Sequence, residues 1–388
     1  MNTEIERSCA RTVLTVDLDK LKENYTNIRK FLKGMEVFAV IKADAYGTGA
    51  EKAAEALLEA GVDGFAVSCL SEAMELLKYS KPVHILGAVF DFELDTAIDH
   101  HIILSVPDCK TAERISNAAV RLNKTVECHI KLDTGMGRFG MTEEEALEMI
   151  PEIVKYPNID CAGIFSHLPA AGDGDGEEAI LNLQQKERFL HILEEMGKKN
   201  IFFRHVHFSN SPGMNNCSFV RTPPFTRARI GLCLHGFYDD GARAVPLQET
   251  IKLSSRLASV RVMKKGSTLG YSRTHTLQED TLVGLVAAGY ADGVPLALSN
   301  KGSVLFRGKR CPVLGRIAMD YTAVSLQQFA GEKENISIGE EVILLGKDGK
   351  EEVSVYEWAE LKQTHPYEIL CSITKRAERK YIRKKEGE

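Results

Sequence analysis

The chain alternates two kinds of segment through about residue 240. Short apolar runs rich in β-branched residues predict buried strands, and the amphipathic stretches between them predict helices. In the first of these stretches, Leu21, Tyr25, Ile28 and Leu32 fall on one helical stripe. The apolar runs begin at Val13, Val37, Gly64, Val83, Ile102, Val126, Ala162, His205 and Ala228.

An alternation of about eight strands with helices is the rhythm of a (β/α)8 barrel. A doubly wound sheet has the same rhythm and is the structural alternative. After about Val245 helical periodicity becomes scarce, and GKDGKE at 346–351 predicts a hairpin tip. We therefore predict an α/β protein with a TIM-type barrel over residues 1–244 and a mostly-β domain over residues 245–388.

The composition is that of an ordinary globular protein, with 44% hydrophobic and 27% charged residues. A net charge of −5 offers no attraction for nucleic acid or an anionic membrane. The N-terminus lacks an apolar signal segment, and no apolar run is long enough to span a membrane. The nine cysteines are scattered singly, which suits reduced thiols and predicts a cytoplasmic protein.

The segment AVIKADAYGTG at 39–49 places Lys42 at the end of a buried strand. Taking an ammonium group out of water is costly, so such a lysine is normally paired or chemically used. A desolvated lysine suits a Schiff base, because imine formation requires a neutral amine. The alternative is a strand-end lysine that reaches solvent, and this pattern taken alone favours that alternative.

Further polar residues stand at or near the ends of other predicted strands. In a barrel, the C-terminal ends of the strands form the active-site face. The small residues at 210–211 and Gly231 also leave backbone N–H groups that can bind a phosphate. Together these residues predict one site: Lys131, Arg138, His167, Asn210, Ser211 and Arg229.

Two histidines, His205 and His207, lie on one face of a single predicted strand. Such a pair occurs in zinc sites, but the sequence contains no evident motif for a third ligand. Packing or polar contacts are the usual role of such histidines. We therefore predict no metal.

Eight motifs occur in the order and spacing of the alanine racemase family: VIKADAYG, KLDTGMGR, HFSNS, RIGLCLHG, GYSRTHT, GYADG, GRIAMD and PYE. The resemblance runs nearly end to end, and the first motif together with GRIAMD is highly specific. The chain is thus similar to a family of fold-type III enzymes that use pyridoxal 5'-phosphate (PLP). The resemblance implies a racemase that interconverts L- and D-alanine, a small amino-acid substrate, and a homodimer with shared active sites.

Carried over residue by residue, the resemblance implies that Lys42 forms a Schiff base with PLP and is one catalytic base. Tyr271 of the partner subunit is the second base. Arg229 donates to the pyridine nitrogen and is supported by His167, and Asn210 helps to fix the ring. The implied phosphate ligands are Tyr46, Ser211, Gly231, Leu232 and Tyr367.

The resemblance also implies residues that bind the substrate. Arg138 approaches the substrate carboxylate, and Met319 makes a backbone contact. Lys131 matches a lysine that is often carbamylated in the family, and its carbamate would orient Arg138. These roles suit racemisation, because a proton leaves one face of Cα and returns on the other, which requires two acid–base groups.

The chain departs from the family pattern at the substrate entrance. Leu296 stands where members commonly have Arg, and Gly172, beside Asp173, stands where they commonly have Asp. His235 and Ala318 also replace the more usual Tyr and Cys. A racemase of serine or of a broader set of amino acids is therefore the alternative substrate assignment.

Two other classes share parts of this pattern. Barrel-plus-β decarboxylases use an acidic partner for the pyridine nitrogen, and Arg229 counts against them. A non-catalytic PLP-binding barrel protein ends after the barrel, and the second predicted domain counts against that class.

Overall fold

The computed structural model describes residues 10–170, 176–239 and 243–383. The chain divides into two compact units. The first contains residues 19–45 and 50–249, and the second contains residues up to 18, residues 46–49 and residues from 250 onward. The first strand, β1 (Val13–Asp17), therefore belongs to the unit formed mainly by the C-terminal part of the chain.

Within the described residues of the first unit, eight parallel strands close into a barrel. The last barrel strand pairs with the first, and Phe38 lies opposite Arg229. Half of these strands are buried along their whole length and the others along most of it, as expected where both faces of a parallel sheet are covered. The barrel strands are β2 (Glu36–Val40), β3 (Gly64–Val67), β4 (Val83–Ile85), β5 (Ile103–Val106), β6 (Val126–Lys131), β7 (Ile159–Phe165), β8 (His205–His207) and β9 (Arg227–Ile230).

Helices connect successive strands of the barrel. The predicted stripe on the first helix is confirmed, because Leu21, Tyr25, Ile28 and Leu32 are at most 1% exposed. The helices are α1 (Leu18–Phe31), α2 (Lys42–Gly47), α3 (Ala50–Glu59), α4 (Leu70–Leu76), α5 (Asp91–Asp99), α6 (Cys109–Arg121), α7 (Glu143–Ile153), α8 (Glu177–Lys198) and α9 (Ser211–Asn216). Short 3-10 helices span Leu77–Tyr79, Ser218–Arg221 and Leu232–His235.

The second unit is built on β-sheet. Its strands are β1, β10 (Ile251–Met263), β11 (Thr268–Leu269), β12 (His275–Thr276), β13 (Thr281–Val286), β14 (Ser303–Phe306), β15 (Lys309–Pro312), β16 (Thr322–Ser325), β17 (Glu341–Asp348), β18 (Glu351–Val353) and β19 (Glu378–Ile382). The sheet order is β15-β14-β17-β10-β1-β19, with β13 on β10, β16 on β13 and β18 on β17.

Short helices complete the second unit. They are α10 (Val355–Lys362), α11 (Pro366–Ser372) and 3-10 helices at Tyr271–Arg273, Tyr290–Asp292, Leu296–Leu298 and Gln327–Asn335. The predicted hairpin tip is confirmed, because Asp348 pairs with Glu351 across a two-residue loop that contains Gly349 at φ +61°.

The predicted fold class, a barrel followed by a mostly-β domain, is confirmed. The apolar run at Val13 is not a barrel strand, however, since β1 pairs antiparallel with β10 and parallel with β19. Its burial alternates, with Leu14 and Val16 buried and their neighbours only partly so. Among the described residues, no helix combines the length and apolar character needed to cross a membrane.

Candidate active site

Lys42 stands where β2 ends, at the start of a left-handed turn. The four residues that follow it have φ between +51° and +58°, a conformation that costs roughly 1–2 kcal/mol for each residue with a side chain. Two carboxylates hold this turn: Glu72 accepts from the N–H of Ala43 at 2.7 Å, and Asp44 accepts from the N–H of Ala50 at 2.6 Å. Backbone strain in the residues that follow the half-buried Lys42 indicates that Lys42 is a functional position.

Burial and four basic side chains lower the pKa of His167, which follows β7. Burial lowers the pKa of His167 well below its ordinary value, and the charges of Arg229, Arg138, Lys131 and Lys42 lower it further. The imidazole is therefore neutral at neutral pH. Four basic side chains gathered at or just beyond the C-terminal ends of barrel strands are complementary to anions such as a phosphate or a carboxylate.

Lys131, the last residue of β6, is buried inside this cationic group. Its Nζ donates to the backbone oxygen of the next residue and lies 5.4 Å from the centre of the Phe165 ring. Burial, and after it the charges of Arg229 and Arg138, lower the pKa of Lys131 to about 7. A substantial fraction of Lys131 is consequently a neutral amine at neutral pH.

The loop that carries Arg138 is organised around Asp133. Oδ1 of Asp133 accepts from the N–H groups of Gly135, Met136 and Gly137 at 2.8–3.1 Å, and Oδ2 accepts from the N–H of Arg138 at 2.8 Å. Burial opposes the charged form, yet these N–H groups hold the pKa of Asp133 below its ordinary value. The loop is thus fixed while the Arg138 side chain stays exposed.

Arg229 is buried in β9, and its guanidinium is fixed by neighbouring strands. Nη1 donates to Nδ1 of His207 at 2.8 Å and to its backbone oxygen at 3.3 Å, and Nη2 donates to the backbone oxygen of Ser166 at 2.7 Å. Burial, followed by the charges of Arg227 and Arg138, lowers the pKa of Arg229 to about 9. The guanidinium therefore remains charged at neutral pH.

The imidazole that accepts from Arg229 is that of His207, whereas the sequence prediction assigned this support to His167. The physical reason is that β8 and β9 are adjacent strands, so His207 reaches the guanidinium directly. His167 instead hydrogen-bonds to Asn210, whose Nδ2 lies 3.2 Å from Nε2 of His167 and donates to the Leu168 oxygen at 2.9 Å.

Asn210 is held at both ends of its amide. Its Oδ1 accepts from the N–H of Gly213 at 2.9 Å, which caps α9. A Cβ at Gly213 would lie 2.7 Å from the Leu168 side chain, so a larger residue would push this cap aside. The amide therefore keeps one orientation beside His167.

Ser211 is the first residue of α9, and its side chain is buried. The hydroxyl oxygen accepts from the N–H of Gly231 at 3.0 Å and from the N–H of Cys233 at 3.5 Å. Leu232 lies between these two residues and begins a 3-10 helix. Hydroxyl and backbone N–H groups are the donors that phosphate sites use. These N–H groups donate to the Ser211 oxygen here, and together with its hydroxyl they would fit the phosphate of PLP.

The second compact unit carries the remaining predicted residues. The rings of Tyr46 and Tyr367 have centroids 5.7 Å apart at an interplanar angle of 57°. Tyr271 is 69% exposed and follows Gly270, where a Cβ would lie 2.6 Å from a backbone nitrogen. Met319 is also exposed, at 50%. The role of Tyr271 in a partner subunit requires such exposure and stays a prediction.

The residues that depart from the family pattern differ in their exposure to solvent. Leu296 is exposed, and Ala318 is half-buried. His235 is buried, and burial lowers its pKa to about 4. Gly172 and Asp173 lie outside the described residues.

Sequence reasoning missed a set of hydrogen-bonded side chains inside the barrel. Nδ1 of His129 lies 2.8 Å from Nε2 of His207, and Nε2 of His129 lies 3.1 Å from Oε1 of Glu127. A signal was present, because Glu127, His129 and Lys131 alternate along β6 and so share one face of the strand. Polar residues repeated at every second position of a buried strand indicate a polar network.

The histidines whose nitrogens lie close together in the structure are not the pair His205 and His207 that the sequence suggested. Ligand nitrogens of His84, His129 and His207 lie within 4.8 Å of one another. His129 and His207 are already hydrogen-bonded to each other, and His207 accepts from Arg229. A cation at this place would break that bond and stand beside a guanidinium, which electrostatics opposes.

Comparison with known proteins agrees with this arrangement. Residues 16–239 match the alanine racemase N-terminal domain, and residues 250–381 match the alanine racemase C-terminal domain. The chain is 34% identical to the alanine racemase of Citrifermentans bemidjiense over 381 residues, which cover 96% of this chain and 98% of that relative.

Solved structures show the same similarity. The alanine racemase of Clostridium difficile 630 has a TM-score of 0.89 at 29% identity and covers 98% of both chains. The alanine racemase from Bartonella henselae, with covalently bound pyridoxal phosphate, has a TM-score of 0.85 at 28% identity and covers 96% of this chain and 100% of that one. The chain therefore belongs to the alanine racemase family, as its motifs predicted.

Proposed function

We propose that this chain is a PLP-dependent alanine racemase that interconverts L- and D-alanine. The observation that carries the proposal is the placement of Lys42, Lys131, Arg138 and Arg229 at or just beyond the C-terminal ends of barrel strands. These basic side chains are complementary to the phosphate of PLP and to the carboxylate of an amino acid. The covalent pyridoxal phosphate of the Bartonella henselae relative supports this cofactor.

Lys42 is the residue proposed to attach PLP covalently. Arg229 would donate to the ring nitrogen, and Asn210, hydrogen-bonded to the neutral imidazole of His167, would help to fix the ring. The proposed phosphate ligands are Tyr46, Ser211, Gly231, Leu232 and Tyr367.

Bound PLP supplies an electron sink that acidifies the Cα–H bond of an amino acid. Nζ of Lys42 moves the proton on one face of Cα, and Oη of Tyr271 from the partner subunit moves it on the other. The guanidinium of Arg229 stays charged, since its pKa is about 9, and it can only donate. It therefore leaves the ring nitrogen unprotonated, which limits side reactions that need a stronger sink.

Arg138 is proposed to bind the substrate carboxylate, with Met319 as a backbone contact. Lys131 is proposed to become a carbamate: the neutral Nζ attacks CO₂, an N–C bond forms, and a proton is released. The pKa of about 7 supplies the neutral amine that this step requires. The carbamate would offset the positive charge of Arg138 and Arg229 and orient Arg138.

A racemase for serine or a broader set of amino acids is the second candidate. The exposed Leu296, in place of the arginine common in the family, favours it because a charged layer at the substrate entrance is altered. We place alanine first because residues 16–239 and 250–381 match the two alanine racemase domains.

The direct test is to incubate the purified protein with a panel of L-amino acids and to measure D-isomers by chiral chromatography. Borohydride reduction followed by mass spectrometry should place a pyridoxyl group on Lys42. Lys42→Ala should abolish both signals, whereas Lys110→Ala, at an exposed position of α6, should keep both. A pyridoxyl group on another residue, or no D-alanine from the wild-type protein, would contradict the proposal.

A further inference from the structure

A continuous row of side chains runs through the barrel interior from Arg229 through His207 and His129 to Glu127. The three contacts between successive members are 2.8 Å, 2.8 Å and 3.1 Å. Both imidazoles are fully buried, whereas the Glu127 side chain is 33% exposed. We call these four side chains the imidazole row. Glu127 lies near the start of β6 and Arg229 near the end of β9, so the imidazole row extends from the active-site layer towards the opposite end of the strands.

The two ends of the imidazole row determine where its protons lie. A guanidinium has only donors and a carboxylate only acceptors. Nδ1 of His207 must therefore accept from Arg229, so a neutral His207 carries its proton on Nε2 and donates to Nδ1 of His129. His129 then carries its proton on Nε2 and donates to Glu127. One arrangement satisfies all three hydrogen bonds.

Both imidazoles are neutral, as this arrangement requires. Burial lowers the pKa of His129 well below its ordinary value, and the charges of Arg227, His205 and Arg229 lower it further. Burial is likewise the main cause of the lowered pKa of His207, followed by the charge of Arg229. Each ring therefore holds one proton near neutral pH, and its position is set by the neighbours.

The imidazole row has a consequence for Arg229. Without an acceptor at position 129, the Nε2–H of His207 would lose this hydrogen bond. The other tautomer would then place an N–H of His207 against the N–H of Arg229 at 2.8 Å, donor against donor. Avoiding that conflict requires the guanidinium to move away from its present orientation.

We propose that Glu127 and His129 are positioning residues for catalysis, which act through His207 to hold Arg229 in the orientation that donates to the cofactor ring nitrogen. The inference rests on the proposed function for its catalytic part. Neither residue is assigned contact with cofactor or substrate, and Glu127 lies at the end of the strands away from the active-site face.

The test compares two substitutions of similar size at the centre of the imidazole row. His129→Asn offers an amide oxygen near the place of Nδ1, whereas His129→Leu offers no acceptor. We expect His129→Leu to lower kcat for alanine about tenfold, the effect of losing an orienting hydrogen bond to a charged group. His129→Asn should stay within about threefold of wild type.

Two further readouts separate positioning from a merely structural role. In the holoenzyme, ¹⁵N-histidine NMR should show His207 protonated on Nε2 in wild type and His129→Asn, with this signature lost in His129→Leu. The visible absorption of the bound cofactor should shift in His129→Leu alone. If His129→Leu does not fold, Glu127→Met against Glu127→Gln provides the same contrast between a lost and a retained acceptor.

Equal kinetic losses in His129→Asn and His129→Leu, or an unchanged His207 tautomer in His129→Leu, would overturn the proposal. A stoichiometric transition metal in the purified wild-type protein that His129→Leu abolishes would also overturn it, in favour of a metal site. The tautomers are measured without turnover. A wild-type protein with the expected tautomers but no racemase activity would therefore refute the proposed function and leave the imidazole row intact.

Discussion

Lys131 and Arg229 lie over the same aromatic ring: Nζ of Lys131 is 5.4 Å and Cζ of Arg229 is 5.2 Å from the centre of the Phe165 ring. After burial, the charge of Arg229 is the next cause that lowers the pKa of Lys131, although the ring attracts both cations. Lys131 loses its proton at the lower pH, because its pKa is about 7 against about 9 for Arg229. A negative charge added at this place, such as a carbamate on Lys131, would be stabilised by the nearby guanidinium of Arg229.

The first prediction concerns the pH dependence of stability at Lys131. In CO₂-free buffer, we expect Lys131→Met to be more stable than wild type near pH 6, on the order of 2 kcal/mol, because the wild type must bury an ammonium group. The pKa of Lys131 falls from 10.5 to about 7 on folding, so the unfolded chain binds more protons between these values. Wild-type stability therefore rises with pH across this window, and the difference between the two proteins shrinks.

Urea unfolding at several pH values measures this difference. Lys110→Met, at an exposed position, is the control and should track the wild type at every pH. A difference between Lys131→Met and wild type that does not change with pH would contradict the assignment of a depressed pKa to Lys131.

The second prediction concerns the loop around Asp133. Asp133→Ala removes the acceptor of four backbone N–H groups and should release the loop that carries Arg138. We expect KM for alanine to rise about tenfold, because Arg138 is proposed to bind the substrate carboxylate. Asp133→Asn keeps one oxygen and should have a smaller effect.

Steady-state kinetics and circular dichroism together check the loop prediction. A change confined to kcat, with KM unaltered in both variants, would mean that the loop does not position a substrate-binding group.

The third prediction concerns substrate size. If the bulk of Tyr367 limits the side chain that the site accepts, Tyr367→Asn should raise kcat/KM for serine relative to alanine by about tenfold. The asparagine opens volume and adds an amide that can hydrogen-bond to a hydroxyl. Tyr367→Phe keeps the ring and is the control, which should leave the ratio near that of wild type. An unchanged ratio in Tyr367→Asn would remove Tyr367 from the determinants of specificity.

The fourth prediction tests the shared active site. In a two-fold dimer whose sites combine Lys42 of one subunit with Tyr271 of the other, Lys42→Ala and Tyr271→Ala homodimers should both be nearly inactive. Unfolding, mixing in equal amounts and refolding produces about half heterodimers, each with one intact site of two. About a quarter of wild-type activity should therefore return.

Native mass spectrometry confirms whether heterodimers have formed in that mixture. Activity that stays near zero in a mixture rich in heterodimers would mean that each site lies within one subunit. Tyr271 would then have no role as the second base.

The sequence by itself determined the alternation of strands and helices, which predicts a barrel although a doubly wound sheet shares it, and the polar residues at the strand ends. Parallel barrel strands all point in one direction, so Lys42 and Lys131, each at the C-terminal end of a predicted strand, must come to the same face. Arg229 opens its predicted strand, and it reaches that face because β9 ends at Ile230 in the structure. The pattern did not determine the partner of β1, because an apolar run of five residues forms a barrel strand or a sheet strand equally well. Its pairing with β10 and β19 depends on residues more than two hundred positions away.

Only the tertiary structure decided which side chain accepts a hydrogen bond from the guanidinium of Arg229. His167 and His207 are both near strand ends in the sequence, and no local pattern says which imidazole meets the guanidinium. Closure of the barrel places β8 beside β9 and brings β6 within reach across the interior, which aligns Arg229, His207, His129 and Glu127. Hydrogen-bond partners from separate strands are set by strand order and register, and these are properties of the folded barrel rather than of any segment.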